Sequence, residues 1–184
     1  MPFFLNPEGS IPEEGESLKD HIVKKYGPQM ATMIGNPNSP LQKAGLKCGV
    51  KFNDDRNIFT TLKCHALMTY TKETHGNDNA NLLMDAMFES YFEKAKAINT
   101  VEVLKECYTS VGLEWTTEAE TSMTKSSTYS QQVIVEDQSI KTRRVSGVPF
   151  FIIERNDGSS PICFSGAQPS EVIADALEEA SATD

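Results

Sequence analysis

The fold is decided by the stretch RVSGVPFFIIERNDGSSPICFSGAQ, residues 144–168. It predicts an apolar strand over residues 149–154, a polar turn over 155–158 and a second strand over 161–165. Asp-Gly between two apolar runs is a strong hairpin signal. Pro169 then opens an amphipathic segment, and proline is favoured in the first turn of a helix. The stretch therefore predicts a unit of strand, turn, strand and helix.

The bulk properties describe one acidic domain. The chain has 184 residues, a mass of 20.3 kDa, a net charge of -9 and an isoelectric point of about 4.9. This charge argues against nucleic acid and against an anionic membrane surface as partners, because both attract basic patches. No apolar run approaches the ~20 residues that cross a bilayer. Residues 1–10 lack the features of a secretory signal, so we expect a cytoplasmic protein.

The cysteines and histidines are scattered along the chain. No two of the four cysteines (Cys48, Cys64, Cys107 and Cys163) lie within three residues of each other. This spacing excludes a local Cys-x-x-Cys redox motif and a zinc knuckle, and the simplest prediction is four small buried side chains. Cys64 and His65 are adjacent, but neighbours on a helix point about 100 degrees apart, so they are not a catalytic dyad. No metal site is predicted.

The rest of the chain is predicted to be mostly helical. Residues 16–27 have apolar side chains four apart, with Ser17 as N-cap and Gly27 as the stop. The other predicted segments are a strand at 2–5, a helix from Ser39 through Ala44, an extended segment at 45–52, helices at 60–74, 80–95 and 101–111, and a weakly helical run at 116–131. Gly76 is the predicted stop of the 60–74 helix.

Several separated motifs resemble one family. They are GVPFF at 147–151 with FSGAQ at 164–168, PFFLNP at 2–7 with KYG at 25–27, NIFTTLKCHAL at 57–67, and the aromatic residues Phe88, Tyr91 and Phe92. Taken in their order along the chain, these motifs resemble those of DsbA-like oxidoreductases of the FrnE type. These proteins are related to 2-hydroxychromene-2-carboxylate isomerases and kappa-class glutathione transferases.

The resemblance implies an α/β thioredoxin-like fold with an inserted α-helical domain. The whole chain, 1–184, is then a single DsbA-like domain, in which 1–7 and 144–180 form the thioredoxin-like part and 17–142 the mostly helical insertion. It also implies a cis Val148–Pro149 bond, although composition alone favours trans, since only ~5–6% of X-Pro bonds are cis.

One departure from the family pattern matters for function. Family members begin with a strand and a Cys-Pro-Trp-Cys or related motif that opens a helix, and only then reach the segment that resembles 1–7. The resemblance therefore implies an N-terminally truncated fold in which the first strand and the active-site helix are absent. We expect two exposed sheet edges, an apolar slot and no catalytic residues.

Three functional hypotheses remain. In the first, the chain is an incomplete thiol-disulfide oxidoreductase, redox-inactive without its Cys-x-x-Cys segment. In the second, it is a redox-inactive protein that binds an extended peptide or a small thiol. In the third, it is a glutathione-dependent transferase or isomerase of the kappa-like branch, although Ala167 and Gln168 stand where those relatives carry Ser-Asp or Trp-Asp.

The candidate binding residues are Val148, Pro149, Gln168 and His65. Val148 and Pro149 would offer a backbone edge for strand-like pairing with a partner. Gln168 lies at the start of the last helix, and His65 lies on a helix that faces the cleft in the family. No cofactor is expected, except that the third hypothesis would require glutathione. The chain could assemble as a homodimer.

Overall fold

Helices dominate the described part of the chain, which also contains two short antiparallel strand pairs. The computed structural model describes residues 1–6, 9–143 and 145–182. Contacts divide the chain into a helical unit, Pro2 with Phe4–Val135, and a hairpin unit, Met1 and Phe3 with Glu136–Asp184. Pro7 and Arg144, which bound the two predicted thioredoxin-like parts, lie outside the described residues.

The helical unit holds most of the helices. They are α1 (Leu18–Tyr26), α2 (Pro28–Ala31), α3 (Pro40–Lys47), α4 (Leu62–Phe88), α5 (Val101–Ser110), α6 (Thr117–Ser122) and the first part of α7 (Thr128–Thr142). A π-helical turn, Glu89–Glu93, follows α4. β1 (Glu16–Ser17) pairs antiparallel with β2 (Asn57–Ile58) in a ladder that the sequence did not predict.

α1 confirms its predicted boundaries. Ser17 is the N-cap, and its Oγ accepts a hydrogen bond from the Asp20 N–H at 3.0 Å. Gly27 ends the helix at a φ of 86°, a left-handed value that glycine adopts without a steric penalty. The cap occupies one of the backbone donors that a helix start leaves unpaired.

The core of the helical unit lies between α4, α5 and α6. Leu67, Leu83, Leu104 and Tyr108 are its largest fully buried apolar side chains. Burying a side chain of this size stabilises a fold by roughly 1.5–3 kcal/mol. Leu83 and Met87, two residues of the apolar stripe predicted at 80–95, therefore lie in the core.

Gly76 interrupts a helical segment that is otherwise continuous. The sequence predicts separate helices at 60–74 and 80–95 with Gly76 as the stop, and the structure confirms the break: α4, Leu62–Phe88, consists of two helices that meet at Gly76, where φ is 85° and ψ is 173°. One non-helical residue changes the direction of the chain without a loop, because the residues on both sides pack on the same core.

The predicted boundary of α3 is wrong. The helix continues past Ala44 to Lys47, so the start of the predicted extended segment at 45–52 is helical. Gly45 is buried there, and a Cβ at this position would lie 2.7 Å from the Phe52 ring. The close approach of Phe52 therefore explains why a glycine lies inside the helix. The alternation of residues at 45–52 spans the end of α3 and does not mark a strand.

The run at 116–131 is also more helical than predicted. α6 and the start of α7 lie within it. Its hydroxyl side chains act as caps: Thr116 Oγ1 accepts from the Ala119 N–H at 3.2 Å, and Ser127 Oγ accepts from the Ser130 N–H at 3.0 Å. Serine and threonine disfavour helix interiors but favour N-caps, so their number does not exclude short helices.

The strand predicted at 2–5 is wrong, since residues 1–6 adopt no regular structure. Phe4 instead packs with Leu62 and Val133 of the helical unit. A strand requires a hydrogen-bonded neighbour, and no described segment pairs with this one.

The hairpin unit matches the sequence prediction closely. β3 (Phe150–Ile153) pairs antiparallel with β4 (Ile162–Ser165), and α8 (Ser170–Ser181) follows and contacts β3. Gly158 takes a φ of 74° in the connecting turn. The Asn156 N–H donates to the Ala180 carbonyl at 3.2 Å and so ties the turn to the last turn of α8.

Membrane-spanning helices are absent from the part of the chain that the structure describes: none of its helices combines the length and apolar character that a bilayer requires.

Candidate binding site on the hairpin unit

The hydrogen-bonding pattern of β3 is fixed by Pro149, the residue just before the strand. The Gly166 N–H donates to the Pro149 carbonyl at 2.9 Å, and this pair is in register with Phe150 opposite Ser165. In an antiparallel ladder, hydrogen-bonded and non-hydrogen-bonded residue pairs alternate. Phe151 and Ile153 therefore exchange their hydrogen bonds with β4.

Phe150 and Ile152 have the opposite orientation. By the same alternation, their N–H and carbonyl groups point to the outer edge of β3. β4 is the only strand paired with β3 among the described residues, and no described backbone group bonds to Phe150 or Ile152 on that edge. Unpaired edge groups are a template for another strand.

An apolar cavity of about 220 Å³ lies beside this edge. Its lining, which we call the β3 slot, consists of Met1, Phe3, Ile140, Arg143, Val145, Val148, Phe150 and Ile152. Alternate residues of a strand project to one face, so Phe150 and Ile152 share the slot while Phe151 projects to the other face. There, the Phe151 and Phe164 rings stack with centroids 5.0 Å apart.

Charge at the slot is positive although the chain is acidic. Arg143 is the one charged residue in the lining, it is exposed, and its guanidinium has no ion-pair partner among the described residues. Lys141, two residues earlier, forms an ion pair with Asp137 at 2.8 Å, and its ammonium group lies 5.3 Å from the centroid of the Phe3 ring.

Three of the four predicted binding residues lie in the hairpin unit. Val148 is 51% exposed and lines the slot, and the Val148–Pro149 peptide bond is cis. Pro149 is exposed and accepts the hydrogen bond from Gly166. Gln168 is half-buried, and its Nε2 donates to the Ser165 carbonyl at 3.0 Å, so its amide closes the end of the hairpin.

His65, the fourth, belongs to the helical unit. It is half-buried on α4, and its ring lies 5.5 Å from the ring of Phe4. A ligand-binding role for His65 stays a prediction.

The thiols differ in exposure, so the prediction of four buried cysteines is wrong for two of them. Cys48 and Cys163 are exposed, while Cys64 and Cys107 are buried in the core. The Cys64 thiol donates to the Ile98 carbonyl at 3.1 Å, and burial raises its pKa to about 12. The thiolate is the reactive form, so Cys64 is chemically inert at neutral pH.

No group of three or more His, Cys, Asp or Glu side chains is arranged to hold a metal ion within residues 1–6, 9–143 and 145–182.

The sequence missed the side chains that make the site a slot. The sequence pattern marks Phe150 and Ile152 only as strand residues and gives no signal that Arg143 lies beside them. Strand alternation after Val148 would have placed Val148, Phe150 and Ile152 on one side. The approach of Met1, Phe3 and Arg143 is a tertiary feature without a local signal.

Comparisons with known proteins agree on the family. The profile of the DSBA-like thioredoxin domain matches residues 10–178. The crystal structure of a probable DsbA oxidoreductase from Streptomyces coelicolor superposes with a TM-score of 0.76 at 26% sequence identity, over 97% of this chain and 72% of that one. No curated protein matches the chain significantly. The predicted α/β thioredoxin-like fold is confirmed.

Proposed function

This chain belongs to the DSBA-like thioredoxin domain family, and from that premise we propose that it binds an extended polypeptide along β3 without catalysing thiol-disulfide exchange. The family is one of thiol-disulfide oxidoreductases. The proposal keeps the family's recognition of polypeptides and separates it from redox chemistry.

The observation that supports binding is the outward direction of the Phe150 and Ile152 backbone groups beside an apolar slot. A peptide that adds to a strand gains affinity from main-chain hydrogen bonds and specificity from pockets for alternate side chains. β3 has both features: outward-facing main-chain groups and an apolar pocket for side chains.

The proposed lack of redox activity rests on the cysteines. Dithiol exchange requires two thiols that can form a disulfide, one of them with a lowered pKa. All four cysteines here are free, no two lie within three residues of each other, and Cys64 has a raised pKa. We expect the 184-residue chain to reduce insulin disulfides no faster than buffer containing dithiothreitol alone. Turnover above that background would contradict this part of the proposal.

Glutathione chemistry receives less support from the site. Gln168, the side chain that the third hypothesis would use, already donates its amide to Ser165. Retention of the chain on immobilised glutathione would favour that hypothesis over peptide binding. A cytoplasmic location and a homodimer stay predictions, and a reducing compartment is consistent with four unpaired thiols.

Peptide binding is tested with a fluorescein-labelled octapeptide in which valine alternates with threonine. We expect a rise in fluorescence anisotropy with the native chain. Val148→Ser removes an apolar side chain from the slot and should weaken binding about fivefold. Val172→Ser is the matched control, since Val172 is also exposed (42%) but lies on α8 outside the slot. No binding by the native chain, or equal weakening by both variants, would contradict the proposal.

A further inference from the structure

The lining of the β3 slot carries information about its ligand. Of the eight described residues that line it, seven are apolar and the eighth is Arg143. This inference rests on the proposed peptide binding and concerns which peptides are bound. We infer that the slot selects an extended segment that has apolar side chains at alternate positions and a carboxylate beside them.

The apolar part follows from strand geometry. A segment added to the outer edge of β3 directs every second side chain to the face that carries Phe150 and Ile152. The cavity on that face measures about 220 Å³, enough for one large or two small aliphatic side chains. Polar side chains at those positions would lose water without gaining hydrogen bonds, since the strand residues that line the slot are apolar.

The acidic part follows from Arg143. Arg143 is exposed and lines the slot, and its guanidinium has no ion-pair partner among the described residues. Lys141, two residues earlier at the end of α7, is already paired with Asp137. A carboxylate on the bound segment would give Arg143 a charge-assisted hydrogen bond, and the planar guanidinium suits a two-oxygen acceptor.

The net charge of -9 opposes an acidic ligand at long range, but local contacts decide the outcome. At physiological ionic strength, charges more than about 8 Å apart are largely screened. A carboxylate in contact with Arg143 is well within that distance.

Three labelled peptides test the inference. They share a core of alternating valine and threonine and are flanked by glutamate, serine or lysine. We expect the affinity to fall in that order, with the glutamate peptide about two- to fivefold tighter than the serine peptide, as for a partly exposed ion pair. Arg143→Gln should remove the difference, and added salt should reduce it.

Arg155→Gln is the matched control. Arg155 lies in the hairpin turn, outside the slot, and its guanidinium pairs with Glu179. This variant should keep the order of affinities. Equal binding of the three peptides would overturn the charge selectivity while peptide binding itself stands.

Two further outcomes concern the occupant. Absence of binding for all three peptides would overturn both the selectivity and the proposed function. Sedimentation that shows a dimer in which the peptides no longer bind would assign the slot to a second copy of the chain, and would likewise overturn the inference.

Discussion

The Gly166 N–H lies 2.9 Å from the Pro149 carbonyl oxygen and donates a hydrogen bond to it. This contact sets which residues of β3 bond to β4 and which point outward. Phe151 and Ile153 bond within the hairpin, whereas the backbone groups of Phe150 and Ile152 lie on an edge without a described partner. The proposed function depends on this alternation.

Proline substitutions at the neighbouring positions Ile152 and Ile153 distinguish the outer edge of β3 from the edge that pairs with β4. Ile152→Pro removes an outward N–H and should leave the ladder intact, because proline is tolerated on strand edges. Ile153→Pro removes a donor to β4 and leaves an acceptor unpaired, which should cost about 1–3 kcal/mol. Urea unfolding followed by circular dichroism measures the difference, and the octapeptide should bind to neither variant. Equal destabilisation by both would show that the assigned alternation is wrong.

Thiol reactivity distinguishes the four cysteines. With a chromogenic disulfide reagent at pH 8, the two exposed thiols, Cys48 and Cys163, should react quickly and the other two only after denaturation. Cys48→Ser and Cys163→Ser should each remove one fast equivalent. Rapid modification of Cys64 in the native chain would contradict its burial and its raised pKa of about 12.

Leu82 and Leu83 are adjacent and chemically identical but differ in environment. Leu83 is fully buried in the core of the helical unit, and Leu82 is 52% exposed. Leu83→Ala should lower the free energy of unfolding by about 2–5 kcal/mol, since it leaves a cavity. Leu82→Ala should change it by less than about 0.5 kcal/mol. The fluorescence of Trp115, whose ring lies 5.5 Å from that of Tyr108 in the same core, reports the transition. Similar losses in both variants would contradict the packing.

The ion pairs of Glu16 predict a pH dependence. Its carboxylate pairs with Lys24 and with His21, and these hydrogen bonds lower the pKa of Glu16 below its ordinary value of 4.5. The folded state then binds fewer protons than the unfolded state in this range, so stability rises with pH. The contribution is complete above pH 4.5 and is lost as the pH falls through the lowered pKa.

Glu16→Gln should therefore be less stable than the native chain near neutral pH, and the difference should shrink below pH 4.5. Urea unfolding between about pH 3 and 7 measures it. Glu14→Gln, at an exposed position in the turn just before β1, is the control and should show a smaller difference. If the difference in unfolding free energy between Glu16→Gln and the native chain stays constant across this pH range, the ion pairs are not its cause.

Local signals in the sequence predicted the hairpin unit well. The turn before Gly158, the strand alternation and the proline before α8 act over a few residues, so their outcome depends little on the rest of the chain. The same holds for α1, where Ser17 and Gly27 mark both ends.

Features that depend on distant partners were not predicted. Residues 2–5 have a strand-like composition, but no strand among the described residues pairs with them. Gly45 lies inside a helix because the Phe52 ring leaves no room there for a Cβ. The lining of the slot combines Phe3, from the start of the chain, with Ile140 and Ile152, from its last third. The outward direction of the Phe150 and Ile152 backbone groups follows from the hairpin register, whereas the lining of the slot depends on tertiary structure.

Amide hydrogen exchange of β3 is the most direct test of the central claim. In the free chain, the Phe151 and Ile153 amides should be protected, while those of Phe150 and Ile152 should exchange at nearly the unprotected rate. Adding the valine–threonine octapeptide should protect Phe150 and Ile152 and change the other two little. Protection of Phe150 and Ile152 already in the free chain, or none after the peptide binds, would contradict strand addition at this edge.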